Sequence, residues 1–268
     1  MKDILVKELK TLKTREEKFN RLRELLQIII LKIIYDSNFS KNLVFTGGTA
    51  LRILFDLKRF SEDLDFSLVN KKGYSLNKFI TLLKRQLRHY MLEVDLKAKE
   101  EKTVHQLDIR FRHVLFDFHI SDISQQKLFI KIEIDTKPPS GGNIEISLVQ
   151  KLFFFTVTHF DLASLYATKL HACFFRKYTK GRDFYDLMWY LAKKIEPNYT
   201  LLNNAIRQTK GDKSIIINHN NFKKFLMDNL SKVNFKAVVK EVERFLPDKE
   251  ELKYLNKNIL ISLVNKLW

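Results

Sequence analysis

The chain has 268 residues, of which 45% are hydrophobic and 29% charged, with only 7 Gly and 4 Pro. This composition is typical of a protein with a buried core and excludes a disordered or fibrous chain. The 48 basic residues exceed the 31 acidic ones by 17, and a single cysteine excludes a disulfide within the chain. The most apolar stretch, 25–35, contains Gln27 and Lys32 and is shorter than the roughly 20 residues of a membrane helix. Because the first residues also lack a secretory signal, we expect a cytoplasmic protein with no membrane segment and a polyanionic partner.

The spacing of apolar residues predicts alternating helices and strands in the first part of the chain. Spacings of three and four predict helices over 15–34, 50–57 and 74–90. A short apolar run predicts a strand over 43–45, and period-2 alternation predicts strands over 63–68, 92–97, 104–111 and 128–135. The run Pro138-Pro139-Ser140-Gly141-Gly142 ends the last of these strands.

The second part of the chain is predicted to be helical. One more strand-like stretch, 144–148, comes first, and Asp161 is a predicted N-cap of a helix that extends to Phe174. Further helices are predicted over 184–193, 200–209, 222–230, 235–246 and 252–268. The pattern therefore predicts an α+β first half followed by a helical second half.

Positive charge is denser in the second half. Residues 1–150 contain 27 basic and 20 acidic residues, a net charge of +7, whereas the shorter remainder contains 21 and 11, a net charge of +10. Between 201 and 240, Asp212 and Asp228 accompany eight basic residues: Arg207, Lys210, Lys213, Lys223, Lys224, Lys232, Lys236 and Lys240. This run is either a solvated helix surface or an electrostatic platform for RNA.

The segment 43–68, LVFTGGTALRILFDLKRFSEDLDFSL, contains the residues with the clearest chemistry. A strand leads into Gly47-Gly48-Thr49 and a helix, so backbone N–H groups and a hydroxyl are offered to a triphosphate. A second strand then presents Asp63 and Asp65 on one face, about 6 to 7 Å apart along the chain. Two carboxylates suit Mg²⁺, which takes its other ligands from water and substrate phosphates. A metal held in this way can assist nucleotidyl transfer.

The predicted strand 127–135 offers further carboxylates that could join this pair. In 127–135 the alternation places isoleucines on one face and Lys131, Glu133 and Asp135 on the other. Glu133 is the preferred third metal ligand and general base, because Asp135 lies near the strand end, but Asp135 and Asp108 remain alternatives. The seven histidines and one cysteine form no zinc-spaced cluster.

The order of these blocks resembles the DNA-polymerase-β-like nucleotidyltransferase superfamily. More narrowly, GGTALR, RFSEDLDFSL, LASLYATKLHACFFR and RDFYDL, within about residues 40–195, are similar to the AbiEii/AbiGii toxins of type IV toxin–antitoxin systems. The resemblance implies a minimal nucleotidyltransferase domain, a mixed β-sheet flanked by helices, over 1–158. A helical bundle over 159–268 is then expected to contribute Lys169 and Asp186 to the cleft.

The resemblance also implies roles for individual residues. Gly48 and Thr49 correspond to the phosphate-binding turn, and Asp63 and Asp65 to the metal pair. Lys169 and Asp186 correspond to active-site residues of these toxins.

Several of these assignments have alternatives. The Lys169 side chain either reaches a nucleotide phosphate or extends along the surface to solvent. Asp183, three residues before Asp186, is expected to cap its helix. Arg59 and Ser61 are expected to contact nucleotide phosphates, with neutralisation of the acidic residues around Asp63 as the alternative for Arg59.

The sequence thus predicts a nucleotidyltransferase that requires Mg²⁺ or Mn²⁺ and transfers a nucleotide from an NTP to RNA. By the resemblance, the acceptor is the 3′ end of tRNA, the protein is a growth-inhibiting toxin, and an antitoxin is its partner. Two rivals stay open: transfer to a protein or small-molecule hydroxyl, and a nucleotide- or RNA-binding protein without turnover.

Overall fold

A computed structural model describes residues 2–176, 178, 180–211 and 214–267. Met1, Asp212, Lys213 and Trp268, which the sequence predictions include, lie outside these ranges. The chain forms two compact units. The sheet unit comprises Met1–Asp56, Phe60–Pro138 and Ile146–His159, and the helical unit comprises Leu57–Arg59, Pro139–Glu145 and Phe160–Trp268.

Within the described ranges, one mixed sheet contains seven strands. They are β1 (Leu43–Thr46), β2 (Leu64–Leu68), β3 (Val94–Glu101), β4 (Val104–Phe111), β5 (Leu128–Asp135), β6 (Ile144–Lys151) and β7 (Phe153–Phe160). Their spatial order is β3-β4-β5-β2-β1-β7-β6. Strand β2 is antiparallel to β1 and parallel to β5, and β1 is parallel to β7. The predicted α+β class with a mixed sheet is confirmed.

Five helices of the described chain accompany the sheet. They are α1 (Lys2–Lys10), α2 (Arg15–Tyr35), α3 (Gly47–Leu54), α4 (Leu76–His89) and α5 (Val114–Asp117). Helix α2 begins at a capping box in which Thr14 and Glu17 exchange hydrogen bonds. It is buried on most sides, so even Gln27, at 1% exposure, lies inside and donates to the Ser61 carbonyl at 3.1 Å. The apolar face of α4, including Phe79, Leu83 and Leu87, is also buried.

The helical unit contains the remaining helices of the described residues: α6 (Leu162–Phe175), α7 (Gly181–Ala192), α8 (Tyr199–Lys210), α9 (His219–Leu230), α10 (Phe235–Val242) and α11 (Lys257–Asn265). Asp161 caps α6 as predicted, because its carboxylate accepts from the Ser164 N–H at 2.7 Å. No helix within the described ranges has both the length and the apolar character needed to cross a membrane.

Two predicted helices of this unit are shorter than expected. The helix predicted over 235–246 ends at Val242 and continues only as a 3₁₀ turn, Glu243–Phe245. The one predicted over 252–268 is interrupted, since a 3₁₀ segment ends at Tyr254 and Asn256 caps a new helix by accepting from the Ile259 N–H. Apolar spacing continues across both breaks, and local capping by Asn256 stops the second helix from extending backwards.

Candidate active site

The turn between β1 and α3 lies directly against the second aspartate of the pair. Gly47 has φ +78°, in the left-handed region that favours glycine. A Cβ at this position would overlap the Asp65 carboxylate and lie 2.9 Å from the Asp65 Cβ. Thr46, opposite Asp65 in the β1–β2 register, provides no side-chain cap for α3. The first N–H groups of α3 therefore lie next to Asp65, and no Thr46 hydroxyl occupies them.

Thr49 has a different role from the predicted one. Its side chain is fully buried, and its hydroxyl donates a hydrogen bond to the backbone carbonyl of Asp63. The hydroxyl thus joins α3 to the residue before β2 and positions Asp63, instead of facing a triphosphate. The motif therefore correctly marks a position where a hydroxyl is used, but the group that this hydroxyl binds is the protein backbone.

Asp63 and Asp65 are both half-buried at the start of β2. Asp65 lies in register with Glu133 on the parallel neighbour β5, so the two side chains share one face of the sheet. One step back along the same register, Asp63 lies beside Lys131. The structure therefore brings Asp63, Asp65 and Glu133 to one face, with Lys131 among them.

Lys131 neutralises part of this negative charge. Its ammonium is 3.2 Å from the Glu133 carboxylate. Burial alone would lower the pKa of Lys131, but attraction to Asp63 and then Glu133 raises it above its usual value. Alternation along the sequence places Lys131 on the correct face but assigns it no role. A role for Lys131 could have been inferred from the sequence, because Lys131 places a positive charge on a face that carries several carboxylates.

The other two candidates for the third carboxylate lie further from the pair. Asp135 is in register with Ser67, one pair further along β2, and accepts from the Lys137 N–H at 2.9 Å. Burial raises the pKa of Asp135. Asp108 lies opposite Lys131 on β4, and its carboxylate accepts from Gln106 at 2.9 Å.

The donor set of this face fits a hard divalent cation. Within the described ranges, no group of three or more His, Cys, Asp or Glu side chains is arranged to hold a metal ion. Asp63 and Asp65 instead provide two adjacent, half-exposed carboxylates, a set that suits an ion completed by water and phosphate oxygens. Glu133 is engaged by Lys131, and its role as a third metal ligand stays a prediction.

Arg59 lies in the helical unit and forms a buried ion pair with Asp186. Its guanidinium donates to both Asp186 oxygens at 2.5 and 2.6 Å, and the two side chains are 2% and 0% exposed. Burial alone would lower the pKa of Arg59, but Asp186 raises it. This geometry differs from the prediction that Arg59 contacts nucleotide phosphates, because its planar fork is already used for bidentate pairing. Ser61 is half-buried, with its carbonyl bound by Gln27.

Lys169 completes the same buried network. Its ammonium lies 2.8 Å from Asp183 and 2.8 Å from Asp186, and Arg176 lies 3.1 Å from Asp183. Burial alone would lower the pKa of Lys169, but Asp183 and Asp186 raise it. Burial alone would raise the pKa of Asp183, but Lys169 and Arg176 lower it.

One alternative and one prediction about this network are wrong. The Lys169 side chain does not extend to solvent, because it is 9% exposed and ion-paired. Asp183 is not the N-cap, because α7 begins at Gly181 with Lys180 in the capping position. That Lys169 and Asp186 act in catalysis stays a prediction.

A mixed sheet that places a D-x-D strand beside a Gly-Gly turn at a helix N-terminus is typical of nucleotidyltransferases. Comparisons with known proteins agree with this class. The family described as "Nucleotidyl transferase AbiEii toxin, Type IV TA system" matches residues 29–257. The chain therefore belongs to the AbiEii family of nucleotidyltransferase toxins, and membership implies an NTP substrate and a cognate antitoxin.

Two solved structures from Helicobacter pylori share the fold. JHP933 has 21% sequence identity and a TM-score of 0.57, with 92% of this chain and 90% of that chain covered. A second protein, described as a candidate nucleotidyltransferase, has 21% identity and a TM-score of 0.53, with 91% and 92% covered. A search of curated proteins gave no match.

Proposed function

We propose that the protein transfers a nucleotide from an NTP to an RNA acceptor, the 3′ end of tRNA, in a reaction that depends on Mg²⁺ or Mn²⁺. This transfer makes the protein the growth-inhibiting partner of its toxin–antitoxin pair. The tRNA end follows from the family resemblance of the sequence, whereas the transfer chemistry also rests on the site.

One observation carries the proposal: the open N-terminus of α3 directly adjoins the aspartate pair. Gly47 lies so close to Asp65 that no side chain fits between them. A triphosphate bound by the N–H groups of Gly47 and Gly48 would therefore bring its phosphates to Asp63 and Asp65. This is the arrangement that transfer of a nucleotidyl group requires.

In this proposal each candidate site residue of the sheet unit has a separate role. When bound, a divalent ion supplies charge stabilisation for the attacking and leaving oxygens, and Asp63 and Asp65 would hold it. Thr49 fixes the backbone of Asp63 through its hydrogen bond. Glu133, beside Asp65 in register, accepts the proton of the attacking hydroxyl as general base.

The basic run of the helical unit contributes electrostatic attraction for RNA. Its described members, from Arg207 to Lys240, form no ion pair with other described residues. Lys224, Lys232 and Lys236 are also exposed. Unpaired surface cations of this kind bind phosphates without sequence preference, in a manner that weakens steeply with salt.

The proposal is tested by incubating the protein with each labelled NTP and separate pools of tRNA, protein and small molecules. We expect label in tRNA with the wild type and none with Asp63→Ala, and we expect the same variant to relieve growth inhibition. Label in the protein or small-molecule pool alone would overturn the acceptor, and unchanged transfer by Asp63→Ala would overturn the site. An antitoxin gene beside the coding sequence would support the biological role.

A further inference from the structure

One residue on the open face of the sheet breaks the polar pattern around it. The outward positions of β5 are Phe129, Lys131, Glu133 and Asp135, so Phe129 is the single apolar side chain among them. It is 39% exposed and has no aromatic ring partner within the described residues. The ring therefore faces solvent among charged side chains, where its flat face is available to a planar group.

Four cations surround this ring. Lys131 lies two residues along the same face of β5, and Arg110 lies opposite Phe129 on β4. Arg112 and Lys127 both bind Asp95, the residue opposite Arg110 on β3, with contacts of 3.0 and 2.8 Å. Of these, Arg110 is 3.9 Å from Asp108 and 47% exposed. The patch consists of one exposed aromatic ring and four cations that contact three carboxylates, Asp95, Asp108 and Glu133, so its net charge is 4 − 3 = +1. An exposed aromatic ring beside an arginine is a combination used by surfaces that bind single-stranded nucleic acid.

The position of Phe129 relative to the aspartate pair indicates which nucleotide it would meet. Phe129 is two residues from Lys131, and Lys131 lies beside Asp63, so about 8 Å separates the backbones of Phe129 and Asp63. The phosphate turn at Gly47 follows β1, on one side of β2, whereas Phe129 is on β5, on the other side. The NTP phosphates and the Phe129 patch therefore flank the aspartates from opposite sides.

We propose that Phe129, with Arg110 beside it, forms a stacking subsite for an unpaired base of the acceptor RNA. The proposal rests on the function proposed above, because it takes RNA to be the acceptor. The ring stacks on the base, and Arg110, which has only a loose contact with Asp108 at 3.9 Å, contacts the adjoining phosphate. The group that binds the subsite is a nucleobase with its adjoining phosphate. The proposal assigns this group to the acceptor RNA, and the incoming NTP, which contains the same group, is the alternative that the tests distinguish.

The first test measures binding without turnover, because each substrate is added alone to a protein with Asp63 intact. The probes are a labelled single-stranded RNA oligonucleotide and, separately, an NTP. We expect Phe129→Ala to weaken RNA binding roughly 5- to 100-fold, the effect of losing one base stack, and to leave NTP binding unchanged. Phe129→Trp should restore RNA binding. A matched control is Phe154→Ala, which removes a 75% exposed phenylalanine from β7 of the same sheet and should change neither.

The second test uses the added indole fluorescence of the Phe129→Trp variant as a direct report of contact, after subtraction of the signal from the parent protein with its two natural tryptophans. RNA should quench the added emission, and NTP should not. Equal RNA binding by Phe129→Ala and its parent overturns the subsite, and so does quenching by NTP alone. If Phe129→Ala weakens RNA binding but wild type transfers no nucleotide to RNA, the proposed function fails while the subsite stands.

Discussion

The chain places two pairs of aspartates in opposite electrostatic situations. Asp63 and Asp65, in the sheet unit, are half-exposed and share one face with Glu133. Asp183 and Asp186, in the helical unit, are at most 4% exposed, and Lys169, Arg59 and Arg176 bind them.

The two pairs show that aspartate has a different role in each unit. A buried carboxylate needs a fixed countercharge, since its desolvation costs several kcal/mol. The helical pair has this countercharge within the protein, so its first effect is on stability. The sheet pair shares Lys131 with Glu133 and stays accessible, so it retains capacity for a cation from solution. We expect substitutions in the two pairs to affect different measurements.

The largest effect is expected from Asp63→Asn on nucleotide transfer. Loss of metal binding removes several kcal/mol of transition-state stabilisation, so the rate should fall by roughly 10³-fold or more. The free energy of unfolding should change by no more than about 1 kcal/mol, because Asp63 is half-exposed and its attraction to Lys131 is screened by solvent. Transfer assays and urea unfolding measure the two quantities. Glu145→Gln, an exposed carboxylate on β6, is the control, and an active Asp63→Asn protein would contradict the assignment.

Asp186→Asn should have its main effect on stability. Removing one charge leaves Arg59 and Lys169 buried with less compensation, and breaking such a pair typically costs about 3–5 kcal/mol. Urea unfolding followed by circular dichroism would measure this loss beside Asp63→Asn. Equal unfolding midpoints for Asp186→Asn and wild type would show that the two aspartate pairs do not differ in this way.

Gly47→Ala should disturb both properties by a smaller amount. A left-handed backbone costs a residue with a Cβ about 1–2 kcal/mol, and the new Cβ also displaces the Asp65 carboxylate. Gly73→Ala is a matched control, because Gly73 has φ +77° and no atom lies within 4 Å of the place that its Cβ would take. Both variants lose the stability that the left-handed backbone costs, and Gly47→Ala loses more because of its clash with Asp65. Only Gly47→Ala should lose transfer activity, by roughly 10²-fold. Equal activities would mean that Asp65 tolerates the displacement.

The smallest effect is expected from the pH dependence of Asp183→Asn. The folded-state pKa of Asp183 lies below its ordinary value of 3.8. Its ionisation therefore stabilises the fold above about pH 4, and this contribution is lost as the pH falls through the folded-state pKa. Arg176 is 42% exposed, so we expect only about 2 kcal/mol. The difference in unfolding free energy between wild type and variant should be constant from pH 7 to about pH 4 and shrink as the pH falls below 4, and a difference that does not shrink there would contradict this origin.

The sequence predicts those features that depend on short-range patterns. Alternation over 63–68 places both aspartates of the sheet pair on one face, and Asp161 caps α6 as expected. Contacts between distant residues follow no such pattern. The Arg59–Asp186 pair joins residues 127 positions apart, and the alternation does not determine which residue of β5 lies beside Asp65. The Thr49 hydrogen bond is equally hidden, because the motif specifies a hydroxyl without specifying its acceptor.

Strand β1, an interior strand of the sheet, has two neighbours at very different distances along the chain. Phe45 lies opposite Phe66 of β2, 66 − 45 = 21 positions later, and opposite His159 of β7, 159 − 45 = 114 positions later. Because synthesis proceeds from the N-terminus, one edge of β1 stays unpaired until β7 leaves the ribosome. Pairing over such separations is slow and leaves strand edges open to other chains. Translation therefore delays the pairing of the strand that leads into the Gly47-Gly48 turn, because its second neighbour, β7, begins only at Phe153.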